Sequence, residues 1–285
     1  MIQSSKQLFA DLVAEITAVY SENEAKSMVY LLLDTLVGLS KTDILIDKPI
    51  EVNIDFAPLV ARIKSFEPIQ YVLGVGDFYG RLFHVSPSTL IPRPETEELI
   101  EPIVSFAKSL GHTASVLDIG TGTGCIAITI ACEIQNGAVI AYDISEEALS
   151  IAKQNNERHQ AGVQFIHKDI LAYQFEQSDK LFDIIVSNPP YVTHREKDEM
   201  EANVLDYEPH LALFVENDNP LVFYKAIANY AFLNLVNNGF FMVEINQYLG
   251  KETAQVFEEK GFTEIEIIKD MFGRERFIKG RKNNV

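Results

Sequence analysis

Val116-Leu117-Asp118-Ile119-Gly120-Thr121-Gly122-Thr123-Gly124 is the stretch on which the fold turns. An apolar run, broken by one acid, leads into three glycines at alternate positions, and an apolar helical segment follows. Glycine adopts the left-handed backbone of a tight turn and lets a ligand approach bare main chain. The alternation then continues. Strands are predicted at 115–119, 138–142, 163–167, 181–187 and 239–245, and helices at 124–134, 145–160, 221–236 and 250–260. Strands at 262–268 and 274–279 close the domain as an antiparallel edge pair. Such a pattern predicts an α/β domain, from about residue 95 to 285, around a mostly parallel sheet. In sheets of this kind ligands bind beyond the carboxyl ends of the strands.

Two acids extend the glycine turn into a nucleotide-type site. Asp143 ends the second strand, 23 residues after Gly120, where a carboxylate can accept both hydroxyls of a ribose. Lys168-Asp169-Ile170 follows the third strand. There Asp169 can accept from an exocyclic amine while Ile170 packs on the face of an adenine. A dinucleotide enzyme is one reading, but a lone glycine pattern is weak evidence. The spacing here is Gly-x-Gly-x-Gly rather than Gly-x-Gly-x-x-Gly, and no second nucleotide-binding half follows. S-adenosylmethionine needs only one such half, with a loop for its methionine portion.

Asn188-Pro189-Pro190-Tyr191 leaves the buried-strand run at 182–187. Proline fixes φ and has no N–H, so the Pro-Pro step presents carbonyls that no neighbouring N–H closes upon. The Asn188 side-chain oxygen and the Pro189 carbonyl can each accept one hydrogen of a planar NH₂ group, and the Tyr191 ring can cover its flat face. A plain strand-ending turn is the simpler reading of this tetrapeptide. The donor site upstream favours the amide clamp.

The first 72 residues have a different character. Leu8, Leu12, Ile16 and Val19 share a helical face. Ser21 with Glu24 forms a capping box, and Gly38 suits the end of the helix it opens. A third helix is predicted at 57–66. The reading is a small helical bundle whose role lies in recognising a partner. Residues 73–94 carry Gly74, Gly76 and Gly80 among alternating apolar residues, which predicts a β-hairpin linker. Cys125 and Cys132 lie about 10 Å apart in rise along a helix, too far for a disulfide, and read as small core residues. No Cys/His spacing suits a metal. The segment 1–20 has no apolar leader core, and no apolar run is long enough to span a bilayer. The expectation is a cytoplasmic protein with no membrane partner. A net charge of −17 offers no basic footprint for nucleic acid.

Together these motifs resemble the class I S-adenosylmethionine-dependent methyltransferases, and more closely the HemK/PrmC family of release factor glutamine methyltransferases. The resemblance runs over almost the whole chain: Phe78-Tyr79-Gly80, the segment Leu90-Ile91-Pro92-Arg93-Pro94-Glu95-Thr96-Glu97, the glycine turn, the Asn-Pro-Pro-Tyr motif, Tyr207-Glu208-Pro209 and Gly273-Arg274-Glu275-Arg276. It implies a Rossmann-like, mostly parallel seven-stranded sheet with an antiparallel edge, behind a helical bundle and a hairpin. It further implies methylation of the glutamine side-chain nitrogen in the Gly-Gly-Gln motif of class 1 peptide chain release factors. On that resemblance Gly120, Thr121, Gly122, Thr123 and Gly124 hold the methionine portion of S-adenosyl-L-methionine, Asp143 the ribose, and Asp169 and Ile170 the adenine. Asn188, Pro189, Pro190 and Tyr191 hold the substrate glutamine, with Asn188 also close to the cofactor and Asn188, Pro189 and Tyr191 catalytic. Arg93, Glu95 and Glu97 fall near the entrance or form surface salt bridges. Two places depart from the family pattern: the segment from Val215 to Pro220 replaces a glycine-rich turn, and Asn246 stands where glycine is expected.

Three other functions use parts of the same pattern. An adenine-N6 methyltransferase clamps an NH₂ in the same way, but the acids Glu196, Asp198, Glu199 and Glu201 after the motif, with the overall charge, weigh against a phosphate-bearing substrate. A ribosomal-protein glutamine is a second substrate of the right chemistry. A non-catalytic cofactor-binding scaffold is the third, and it has no use for an amide clamp.

Overall fold

Hydrophobic residues alternate between two faces along the central strands, and each face builds its own core. Val116, Ile184, Val186, Phe240 and Met242 pack on one side of the sheet with Ile100, Ile103 and Ile126. Leu117, Ile185, Phe241 and Val243 pack on the other with Tyr224, Ile227 and Phe257. This period-two division fits a sheet covered by helices on both faces. The computed structural model describes residues 2–134, 137–172 and 181–283. By the density of its contacts the chain forms two units, Met1–Val75 with Glu201–Tyr207, and Gly76–Met200 with Glu208–Val285.

The second unit holds a seven-stranded sheet. Its strands are β1 (Ser115–Ile119), β2 (Ala138–Asp143), β3 (Gln164–His167), β4 (Phe182–Ser187), β5 (Leu235–Glu244), β6 (Phe262–Lys269) and β7 (Glu275–Lys282). They lie in the order β6-β7-β5-β4-β1-β2-β3. The pairs from β3 through β5 are parallel, and β7 runs antiparallel to both β5 and β6. The expected antiparallel closing pair is present at one edge of the sheet. β7 inserts between β5 and β6, so β6 alone forms that edge. The strand order reverses between β1 and β4, which opens a crevice beyond their carboxyl ends.

The hairpin expected as a linker joins Val75–Phe78 to Arg81–His84. Tyr79 (φ 52°) and Gly80 (φ 69°) give it the two positive-φ positions of a type I′ turn. From Gly76 onward it belongs to the second unit. Phe78 and Phe83 are fully buried in the first of the two cores. The buried Asn155 side chain accepts from His84 N (2.6 Å) and donates to His84 O (3.0 Å) and to Thr123 O in the glycine turn (2.9 Å).

The first unit is helical, with Ser5–Ile16, Glu22–Val37, Lys41–Leu45, Ala57–Lys64 and Ile69–Leu73 closing over Ile16, Val29, Leu32, Leu33 and Ile63. The Ser21–Glu24 capping box and the left-handed Gly38 cap form as expected. Val19 does not join the first helix. Thr17 Oγ1 donates back to Val13 O (3.0 Å), the helix ends, and Val19 is exposed. An antiparallel pair, Ile2–Ser4 with Pro49–Glu51, was not legible as strands in the sequence. The short helix Ala202–Tyr207 also belongs here, where the Tyr207 hydroxyl donates to Ser65 O (2.6 Å). Among the described residues no helix is long and apolar enough to cross a membrane.

Candidate active site

The carboxyl ends of β1, β2 and β4 converge on one cavity of about 380 Å³, a size suited to a nucleotide-sized ligand. Gly120 (φ 75°), Gly122 (φ 56°) and Gly124 (φ 81°) all take left-handed backbone. Gly120 N and Thr121 N both donate to Tyr142 O, at 2.9 and 3.0 Å, which pins the turn to the end of β2. Gly120, Thr121, Gly122 and Thr123 line the cavity. A Cβ on Gly122 would meet no protein atom within 4 Å, so that stretch of main chain faces open space. Gly124 does something else. A Cβ there would lie 2.9 Å from Ile128 Cδ1 and 3.3 Å from Ala152 Cβ, so its bareness lets helix Cys125–Glu133 pack against helix Glu146–His159.

Asp143 stands at the wall of the same cavity. Its Oδ2 accepts from Gly122 N (2.7 Å) and its Oδ1 from Ser145 N (2.9 Å), and a carboxylate so held keeps further lone pairs for hydroxyl donors. Burial pushes its carboxyl above the usual range, while the backbone N–H bonds pull it back. Asp169 and Ile170 complete this wall. Asp169 Oδ1 accepts from Leu171 N (2.8 Å), an Asx turn that fixes the acid, and Ile170 is buried. Asp118 is fully buried on β1, where its Oδ2 accepts from Thr121 Oγ1 (2.6 Å). Burial, with a smaller push from Asp143, raises its carboxyl to about 7. Cys125 and Cys132 are both free. Cys125 is a core residue whose thiol burial pushes up to about 12. Cys132 departs from the expected core position: it is exposed.

Asn188, Pro189 and Pro190 also line the cavity, and a Cβ on Gly120 would lie 3.9 Å from Asn188 O. Asn188 Nδ2 donates to Thr96 Oγ1 (3.3 Å), and Thr96 Oγ1 donates in turn to Glu244 Oε2 (2.6 Å). The Tyr191 hydroxyl donates to the other oxygen, Glu244 Oε1 (2.9 Å). Tyr191 is not among the residues lining the cavity, and its ring packs toward the core that holds Tyr224 and Phe241. An aromatic lid over the substrate is therefore not its position in this structure. Burial raises the Glu244 carboxyl above its ordinary value, opposed by the Thr96 and Tyr191 hydrogen bonds and by the Arg276 charge.

Arg93 also lines the cavity and pairs with Glu208 (2.5 Å), whose second oxygen accepts from Ile91 N (3.1 Å). Glu208 is buried, and through these two contacts it holds the Ile-Pro-Arg-Pro segment in place. Glu95 and Glu97 do not line the cavity. The two departures from the family pattern have local explanations. Asn217 Oδ1 accepts from Arg195 N (3.1 Å) and so pins the turn after Val215. Asn246 Nδ2 donates to Tyr191 O (3.1 Å) and Glu196 Oε1 (2.9 Å), work a glycine could not do. Thr96, Glu208 and Glu244 escaped the sequence reading as site residues. A signal existed for Glu244, an acid at the end of the apolar run Phe240-Phe241-Met242-Val243.

The strand order, the glycine turn and the acid ending β2 define a class I methyltransferase. Residues 101–207 match the family model of the methyltransferase small domain. A methyltransferase from Pyrococcus furiosus shares the fold, with a TM-score of 0.52 at 21% identity over 80% of this chain and 100% of that one. The release factor glutamine methyltransferase of Flavobacterium psychrophilum is 41% identical over 96% of this chain and 98% of its own. That of Bacteroides thetaiotaomicron is 42% identical over 91% and 94%. The chain belongs to the release factor glutamine methyltransferase family.

Proposed function

We propose that this protein transfers a methyl group from S-adenosyl-L-methionine to the side-chain amide nitrogen of the glutamine in the Gly-Gly-Gln motif of class 1 peptide chain release factors. One observation carries the reading. A single cavity brings the bare glycine turn, Asp143, Asp169 and Ile170 onto the same space as Asn188, Pro189 and Pro190. The residues suit the cofactor: open main chain at Gly122 for the methionine portion, a fixed carboxylate at Asp143 for the ribose, and Asp169 with Ile170 for the adenine.

When bound, S-adenosylmethionine supplies a sulfonium methyl that is already a strong electrophile. The difficulty lies with the amide nitrogen, whose lone pair is delocalised into its carbonyl. Asn188 Oδ1 and the Pro189 carbonyl accept its two N–H bonds and aim the nitrogen at the methyl group. Orientation of this kind is worth up to about 7–11 kcal/mol. As the new N–C bond forms the methyl–sulfur bond breaks, its electron pair staying with S-adenosyl-L-homocysteine, while positive charge grows on nitrogen and two fixed acceptors stabilise it. The motif has no strong general base, so the proton leaves late, to water. Tyr191 supports the clamp through Glu244.

The net charge of −17 favours a protein over a phosphate-bearing substrate. The helical unit is assigned to partner recognition, and a release factor substrate places the reaction in the cytoplasm. The test is incubation with labelled S-adenosylmethionine and a purified release factor, followed by peptide mass mapping. Label on the Gly-Gly-Gln glutamine is expected, and label confined to any other residue or to nucleic acid overturns the assignment. Asn188→Ala should lower turnover by about 100-fold or more while cofactor affinity changes little, as for loss of one preorganised group at a reacting centre.

A further inference from the structure

An asparagine amide is nearly symmetric in shape but not in polarity. Turned by 180°, Asn188 would present an NH₂ to the substrate NH₂, and the clamp would become a repulsion. Something must choose the rotamer, and packing alone cannot. The Thr96 hydroxyl is ambivalent, with one proton to give and lone pairs to accept. Its proton is committed to Glu244 Oε2 at 2.6 Å. Only lone pairs then face Asn188, so only Nδ2 can bond there, at 3.3 Å. Glu244 receives a second donor, the Tyr191 hydroxyl, on Oε1 at 2.9 Å. An ionised carboxylate suits that pair of donors, because it only accepts. Thr96 is 2% and Glu244 1% exposed, so water does not compete for these bonds.

We infer that Thr96 and Glu244 are positioning residues that fix the direction of the Asn188 amide, its oxygen turned to the substrate and its nitrogen turned away. Glu244 acts at two removes: it orients the Thr96 proton, and Thr96 orients Asn188. Through Tyr191 the same carboxylate also anchors the far end of the Asn-Pro-Pro-Tyr motif. The inference rests on the amide clamp proposed above and explains how its polarity is set.

Thr96→Val removes the hydroxyl and keeps the shape. Glu244→Gln keeps the shape and introduces an NH₂ that can donate to Thr96, freeing the Thr96 proton to donate to Asn188 Oδ1. Steady-state methylation of a purified release factor is measured for each variant, with cofactor affinity by calorimetry and thermal midpoints alongside. Each substitution should lower kcat by about 100-fold, the scale of a misplaced reacting group, and leave cofactor affinity within about threefold, since Asp143 and the glycine turn are untouched. Thr96→Ser, which retains the hydroxyl, should recover most of the lost turnover. The double variant should be no worse than either single one, because both act along one path.

If Thr96→Val turns over like wild type while Asn188→Ala is inactive, the relay is wrong and the clamp survives. Equal loss of turnover and cofactor affinity, without rescue by serine, makes the pair a packing feature and overturns the inference. Wild-type turnover in Asn188→Ala removes the clamp itself, and the relay with it.

Discussion

Asp118 lies two residues before the glycine turn and Asp143 touches it from the end of β2, yet their surroundings differ. Asp118 holds its proton to a higher pH in the fold, to about 7, than in the unfolded chain, near 3.8. Between those values the native state binds more protons than the unfolded one. Unfolding free energy therefore falls as pH rises through that window, and the penalty is complete above it. Asp118→Asn stays neutral throughout. Its urea midpoint should drop less than that of wild type between about pH 5 and about pH 8, and identical drops would show that Asp118 is not the titrating group. Asp143 is the acid we propose for the cofactor ribose. Asp143→Ala should weaken cofactor affinity by about tenfold to a hundredfold, the worth of hydrogen bonds to a charged acceptor, while turnover at saturating cofactor changes less. Calorimetry with S-adenosylmethionine alone reads this directly.

At the scale of elements, Gly124 is where turn and helix packing meet. Gly124→Ala asks a side chain to adopt φ near +81° and to press on Ile128 and Ala152. The expected cost is about 1–3 kcal/mol, read as a lower urea midpoint at unchanged slope. Helices and strands such as these were largely legible because their signals are local. Ser21 with Glu24, Ser145 at an N-cap and Gly38 at a C-cap each act within one turn of the residues they terminate. The apolar run at 182–187 likewise announced a strand buried on both faces. What stayed hidden was non-local. Thr96 meets Glu244 across 148 residues and Ile91 meets Glu208 across 117, and no periodicity records such a meeting. The place of Tyr191 is non-local for the same reason, since a buried acid on β5 accepts from its hydroxyl. The short pair Ile2–Ser4 and Pro49–Glu51 has too few residues to show an alternation.

For the whole molecule the decisive feature is β7, which lies between two strands that precede it in sequence. Glu244 on β5 stands opposite Phe277 on β7, and Ile245 N donates to Arg276 O (2.8 Å). A chain ending at Gly273 would leave β5 and β6 with open edges, and unpaired edges recruit other chains. Such a truncated protein should aggregate when expressed at a level where the full chain remains in solution, and sedimentation of the two would settle it.

The same insertion sets an order of events during synthesis. β5 and β6 leave the ribosome before the strand that must separate them, and running parallel to each other they have no tight hairpin between them. Until β7 arrives, Glu244, the acid bonded to Thr96, sits on a strand with an open edge. Every partial translation product is thus both adhesive and without a finished site, so the interval between the emergence of β6 and that of β7 is when a nascent chain most needs a chaperone's cover.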